Sequence, residues 1–103
     1  TKEKVKAILL ESLPAGLGNI DEVAKRLALS KRTLQRLLED ENTNFKTILD
    51  DTRKALAEYY LKQSSISTSE ISFLLGFQEV NSFSRAFKHW TGATPNTYRH
   101  QYS

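Results

Sequence analysis

The 103-residue sequence has no cysteine and no methionine, a single tryptophan, two prolines, four glycines and two histidines. Without cysteine there is no disulfide and no thiolate metal site, and the composition fits a reducing compartment, so a cytoplasmic location is expected. No apolar run approaches the length of a membrane span or a signal-peptide core, so no membrane is expected as a partner. The lack of methionine, with an opening at Thr1 that is already in a helical pattern, suggests a piece cut from a longer protein. His89 and His100 stand eleven apart, a poor metal pair. Asp50 and Asp51 are consecutive on a helical pattern, where their carboxylates point in different directions and make poor acid–base partners. No catalysis, metal or cofactor is expected.

What is present suits a globular chain: 39% hydrophobic and 26% charged residues argue against disorder. The length allows one compact domain or two very small subdomains, and units of about forty residues are too small to be secure without a shared element. The net charge is +3 and the pI near 9.3. A balance this mild makes the placement of charge matter more than its sum.

Phe45 to Gln63 reads as one long helix. Phe45, Ile48, Leu49, Thr52, Leu56, Tyr59 and Tyr60 recur at i, i+3, i+4 and i+7 and form one stripe. The other face is charged, with acid-before-base pairs Asp50/Lys54 and Glu58/Lys62, each contributing about 0.2–0.5 kcal/mol when exposed. Asn44 suits the start as a cap, and Ser64 with Ser65 the end. The rod would be about 28 Å long at about 1.5 Å per residue. The segments on its two sides resemble each other, which gives a first subdomain at about 1–43, a linker helix at about 44–63 and a second subdomain at about 64–103.

In the first unit, Val5, Ala7, Ile8, Leu9 and Leu13 keep near-helical spacing until Pro14, Gly16 and Gly18 break it. Lys2, Lys4 and Lys6 make a basic, solvated outer face. Asn19 and Glu22 have capping-box spacing for a second helix that stops at Ala28 and Leu29, and Ser30 caps a third. Two short helices around a turn of three or four residues are the helix-turn-helix pattern. Ala24 is small where the helices cross, Ala28 is small at the turn, and Val23, Leu27, Leu29, Leu34 and Leu37 or Leu38 fill the core. The third helix then turns Arg32, Gln35 and Arg36 outward, with Lys31 beside them. Arginine can fork onto guanine O6/N7 and glutamine can pair with adenine N6/N7, at about 1–3 kcal/mol per good pair. Ser30 and Thr33 suit phosphates. Glu39, Asp40 and Glu41 would repel phosphates, so only the first two turns are expected to enter a groove. Taken alone, this face fits an ordinary solvated αα-hairpin equally well.

The pattern then returns. Ser67 and Glu70 repeat the capping-box spacing, and the fifth helix ends at Gly76 and Phe77. Val23 aligns with Ile71, Leu27 with Leu75, Ala28 with Gly76 and Leu29 with Phe77 at an offset of 48, and Leu34 with Phe83, Arg36 with Arg85 and Leu38 with Phe87 at 49. The second turn is therefore one residue longer. Phe83, Phe87 and Trp90 face the core, and Asn81, Ser82, Ser84, Arg85 and Lys88 face outward. Arg85 and Asn81 suit base edges, while Ser82, Ser84 and Lys88 suit phosphates. Glu79 is long for a cap. Thr94 followed by Pro95 starts a closing helix that packs Tyr98 back on the unit.

The run Ile71, Ser72, Phe73, Leu74, Leu75, Gly76, Phe77, then Phe83 to Lys88, then Gly92, Ala93, Thr94, Pro95 with Tyr98 and Arg99, resembles the signature of the AraC/XylS family of bacterial transcription regulators. Val23 with Ala24, Leu29 with Ser30, and Leu34, Gln35, Arg36 agree in the first half, so the resemblance covers nearly the whole chain. It implies an all-α domain of seven helices: two helix-turn-helix units joined by a long helix, binding double-stranded DNA. The reading sets it implies are Lys31, Arg32, Gln35 and Arg36 in the first unit and Val80, Asn81, Ser82, Ser84 and Arg85 in the second, with Val80 meeting a thymine methyl group. Recognition helices in adjacent major-groove segments would stand about 34 Å apart. A straight duplex need not suit both units of a rigid rod, so modest bending or partial engagement of the second unit is expected. The resemblance also implies RNA polymerase as a partner of activators, and a sensing or dimerising domain through which the whole protein forms a homodimer, the fragment itself being monomeric. Ala28 for glycine, Ser72 for alanine and Glu79 for a shorter cap are mild departures. A protein-interaction bundle would instead tolerate loss of Arg36 and Arg85, and single-stranded RNA would need exposed aromatic platforms, whereas the aromatics here are expected on buried stripes.

Overall fold

Five of the seven α-helices among the described residues begin where a short polar side chain closes the first turn. A computed structural model describes residues 1–16 and 18–102, with Tyr102 described by its backbone alone. Among the described residues the fold is all-α: α1 (Lys2–Ser12), a 3-10 turn at Leu13–Ala15, α2 (Ile20–Arg26), α3 (Lys31–Asp40), α4 (Phe45–Gln63), α5 (Thr68–Leu74), α6 (Val80–Thr91) and α7 (Pro95–Tyr102). Asn19, Ser30, Asn44, Ser67 and Thr94 each accept a backbone N–H three residues on, at 2.9–3.2 Å. Each such cap contributes about 0.5–2 kcal/mol. Glu79 makes no such bond. The buried Ser72 hydroxyl instead donates to the Glu79 carbonyl (3.3 Å), tying α5 to the start of α6.

The chain divides into two compact units, Thr1–Thr52 and Arg53–Ser103, and the division falls inside α4. Val5, Leu9, Val23, Ala24, Leu34, Leu38 and Ile48 form the core of the first. Of the two leucine choices on α3, Leu38 is the buried one and Leu37 half-buried, while Ala7 on α1 is exposed. Ala57, Leu61, Ile71, Leu75, Phe83, Phe87 and Tyr98 form the core of the second. The stripe expected along α4 holds except at Tyr59, which is 59% exposed, and it omits Ala57 and Leu61, which are buried. Each half of the helix answers to its own core: Leu56 and Tyr60 of the expected stripe pack against the second one, but its fully buried positions are Ala57 and Leu61. The charge pairing on α4 also differs from expectation. Asp50 pairs with Lys46 one turn earlier (2.9 Å), not with Lys54, and Glu58 accepts from the Tyr98 hydroxyl (2.9 Å).

The two inter-helix turns are built alike. Leu29 N–H reaches back to the Ala24 carbonyl (2.9 Å) and Ala28 N–H to Lys25 (3.1 Å); Phe77 reaches Ser72 (3.1 Å) and Gly76 reaches Phe73 (3.0 Å). This pair of bonds requires a left-handed residue, and Ala28 (φ 58°) and Gly76 (φ 83°) supply it. The next cap follows three residues after Leu27 but four after Leu75, which is the extra residue that the alignment shows. Arg53, on the charged face of α4, closes the second turn from outside. Its Nε donates to the Leu75 carbonyl (2.9 Å) and its guanidinium lies 4.3 Å from the centre of the Phe77 ring.

Tyr98 meets Phe87 edge-on at 5.2 Å, and Arg99 Nη2 donates to the Ile66 carbonyl (2.6 Å), so α7 is held at two successive residues. Burial pushes the Tyr98 phenol above its ordinary 10.0, with the Glu58 carboxylate adding to the effect and Lys62 opposing it. A raised folded value means that this stabilisation is complete below about pH 10 and is lost as pH rises through the folded value. Urea unfolding of wild type and Tyr98→Phe between about pH 8 and 11 should show the steeper alkaline decline in wild type. Ala28→Gly should raise stability by about 0.5–1 kcal/mol, since an alanine held left-handed costs about 1–2 kcal/mol and the added chain entropy of glycine returns part of it. An unchanged or lower denaturation midpoint would show that Ala28 is not strained.

Candidate nucleic-acid interface

The buried leucines of α3 decide what its other face shows. Leu34 and Leu38 are fully buried, so the remaining positions of the helix fall outward by its period of about 3.6 residues. Lys31, Arg32, Gln35, Arg36 and Glu39 are exposed and Thr33 is half-buried. Arg32, Thr33, Gln35, Arg36 and Glu39 line one shallow depression. At the start of the helix, Ser30 Oγ accepts the Thr33 N–H, and the two hydroxyls share a hydrogen bond of 2.8 Å. One hydroxyl proton of the pair is left for an outside acceptor.

In the second unit Phe83 and Phe87 play the part of the two leucines, with ring centres 5.8 Å apart. Trp90, expected in the core, is half-buried and packs on Phe77 and Phe87 at 6.3 and 6.4 Å. Asn81, Arg85 and Lys88 are exposed, Ser82 and Ser84 half-buried, and Val80, the first residue of α6, is 37% exposed. Each unit thus presents one helix whose inner face is apolar and whose outer face is polar and cationic.

Among the described residues, Lys31, Arg32, Arg36, Arg85 and Lys88 form no ion pair. Some cations elsewhere are engaged, while Lys4, Lys6, Lys25 and Lys54 also form no ion pair among the described residues. Arg26 holds Glu11 (2.9 Å) and Ser12 (3.1 Å), Lys46 holds Asp50, and Arg53 holds the second turn. The acidic end of α3 also divides. Glu41 accepts the Lys2 N–H at 3.0 Å. This backbone bond is the main cause that holds its carboxyl below the usual range. Glu41 therefore caps α1, a role its place in an acidic run does not suggest. Glu39 was likewise read only as part of that run, although its spacing from Gln35 places it on the same face. No group of three or more histidine, aspartate or glutamate side chains among the described residues could hold a metal ion.

A family described as a helix-turn-helix domain matches residues 23–101, which takes in both turns and both outward-facing helices. The ornithine utilization regulator of Pseudomonas aeruginosa is 38% identical over 96 residues, covering 93% of this chain and 28% of that protein. The chain belongs to the AraC/XylS family. It is a DNA-binding, transcription-regulating type of domain, and it spans under a third of that relative's length. The C-terminal domain of the two-component response regulator yesN from Fusobacterium nucleatum has the same fold, with a TM-score of 0.84, 27% identity and coverage of 95% of this chain and 96% of that one. The DNA-binding domain of AdpA, solved in complex with a target DNA, matches in fold with a TM-score of 0.82 at 24% identity, covering 98% of this chain and 91% of that one.

Because Arg36 and Arg85 are exposed and outside every ion pair, Arg36→Ala and Arg85→Ala should leave folding stability within about 0.5 kcal/mol of wild type. Chemical denaturation checks this, and a larger loss in either variant would mean that the side chain holds the fold.

Proposed function

We propose that α3 and α6 are the base readers of an AraC/XylS DNA-binding domain and enter successive segments of the major groove of double-stranded DNA. The observation that carries this reading is the set of outward cations on these two helices without ion pairs, beside amide and hydroxyl groups that match base edges and phosphates. Lys31, Arg32, Gln35 and Arg36 form the first reading set, and Val80, Asn81, Ser82, Ser84 and Arg85 the second. Arg32, Arg36 and Arg85 suit guanine, Gln35 and Asn81 suit adenine, and Val80 suits a thymine methyl group. Ser30, Thr33 and Lys88 hold phosphates, which position each helix without selecting sequence. For the whole protein the same reading extends to RNA polymerase as a partner and to pairing with a second copy, both of which rest on the family alone.

Selection from a randomised duplex library at two salt concentrations tests the proposal. Two boxes should emerge, Arg36→Ala should relax only the first and Arg85→Ala only the second, and affinity should fall steeply with salt. Binding without any motif, or variants that leave both boxes intact, would overturn it.

A further inference from the structure

Of the three consecutive acids at the end of α3, Glu41 is bound at the start of α1 and Asp40 does not line the depression, whereas Glu39 lines it with Arg32, Gln35 and Arg36. It is three residues beyond Arg36 and four beyond Gln35, which is the spacing of neighbours on one helix face. It is exposed and, among the described residues, forms no ion pair. Lys46 lines a second depression with Glu39 and Gln35 but is held by Asp50.

We infer that Glu39 is a specificity-determining residue, selecting a cytosine in the box that α3 reads. This rests on the proposed reading of α3 as a base reader. A carboxylate only accepts hydrogen bonds, and the major-groove edge of cytosine offers a donor, N4–H₂, where guanine offers N7 and O6 and thymine offers O4, all acceptors. Adenine also carries a donor, N6–H₂, but beside the acceptor N7, which opposes the carboxylate, so Glu39 is favoured most by cytosine, less by adenine, and is repelled by guanine and thymine. The same negative charge sets a limit at the third turn of α3: the helix is tolerated deeper in the groove only where the base edge supplies a donor. An acidic end that merely repels phosphates would lower affinity for every sequence alike.

The two behaviours separate in one selection experiment on this chain, using wild type, Glu39→Ala, Glu39→Gln and Arg36→Ala with the same randomised duplex library. The wild-type motif should hold a cytosine beside the positions governed by Arg36. Glu39→Ala should lose preference at that position by about tenfold or more while keeping the rest of the motif. Glu39→Gln, which also offers a donor, should widen the choice there to other bases. If Arg36→Ala alters the box while both Glu39 variants keep an unchanged motif and bind all sequences more tightly, the inference fails and α3 remains a reader. If Arg36→Ala also leaves the motif unchanged, or wild type selects none, the reading of α3 fails and this inference with it.

Discussion

The arrangement of each unit depends on a helix ending within one left-handed residue. When Leu29 or Phe77 bonds back to a carbonyl five residues earlier, the chain leaves the helix sharply enough for the next to start three or four residues on. That bend brings Leu34 or Phe83 onto Val23 or Ile71, and these buried contacts decide which side of the following helix faces out. The reading faces are thus fixed two steps away from themselves, by a backbone dihedral and then by packing. A looser connection would leave the same side chains on helices with no set orientation.

Much of this was legible because local signals agreed with one another. Capping residues marked most helix starts, the repeat at offsets of 48 and 49 marked the two units, and leucine or phenylalanine periodicity gave the inner faces of α3 and α6. The failures came where one element answers to two environments or where a side chain reaches across the fold. Periodicity assumes a single burying surface, and α4 has two, so Tyr59 was placed inside and Ala57 and Leu61 were missed. Arg53 closing the second turn, Glu41 capping α1 and Glu58 accepting from Tyr98 are contacts 22, 39 and 40 residues long in sequence. No window along the chain registers such pairs: local spacing pairs Glu58 with Lys62, sets Glu41 in an acidic run and leaves Arg53 on a charged face.

The continuity of α4 has an energetic meaning of its own. Each unit contributes a small core, and half of a nineteen-residue helix is shorter than the roughly 12–15 residues that a helix needs to persist on its own in water. Ile48 is held in one core and Ala57 and Leu61 in the other, so helical order in either half supports propagation into the next. Small units without disulfides or metals gain from such sharing.

The two turns also differ in evolutionary potential. Gly76 adopts its left-handed backbone without a side-chain penalty, whereas Ala28 carries strain of about the size by which an average substitution lowers stability. The first unit therefore holds unused mutational headroom at a position away from the outward face of α3. Exchanges on that face that alter sequence preference at some expense to folding have a compensating step within reach, so in the first unit binding preference can drift without the fold being lost.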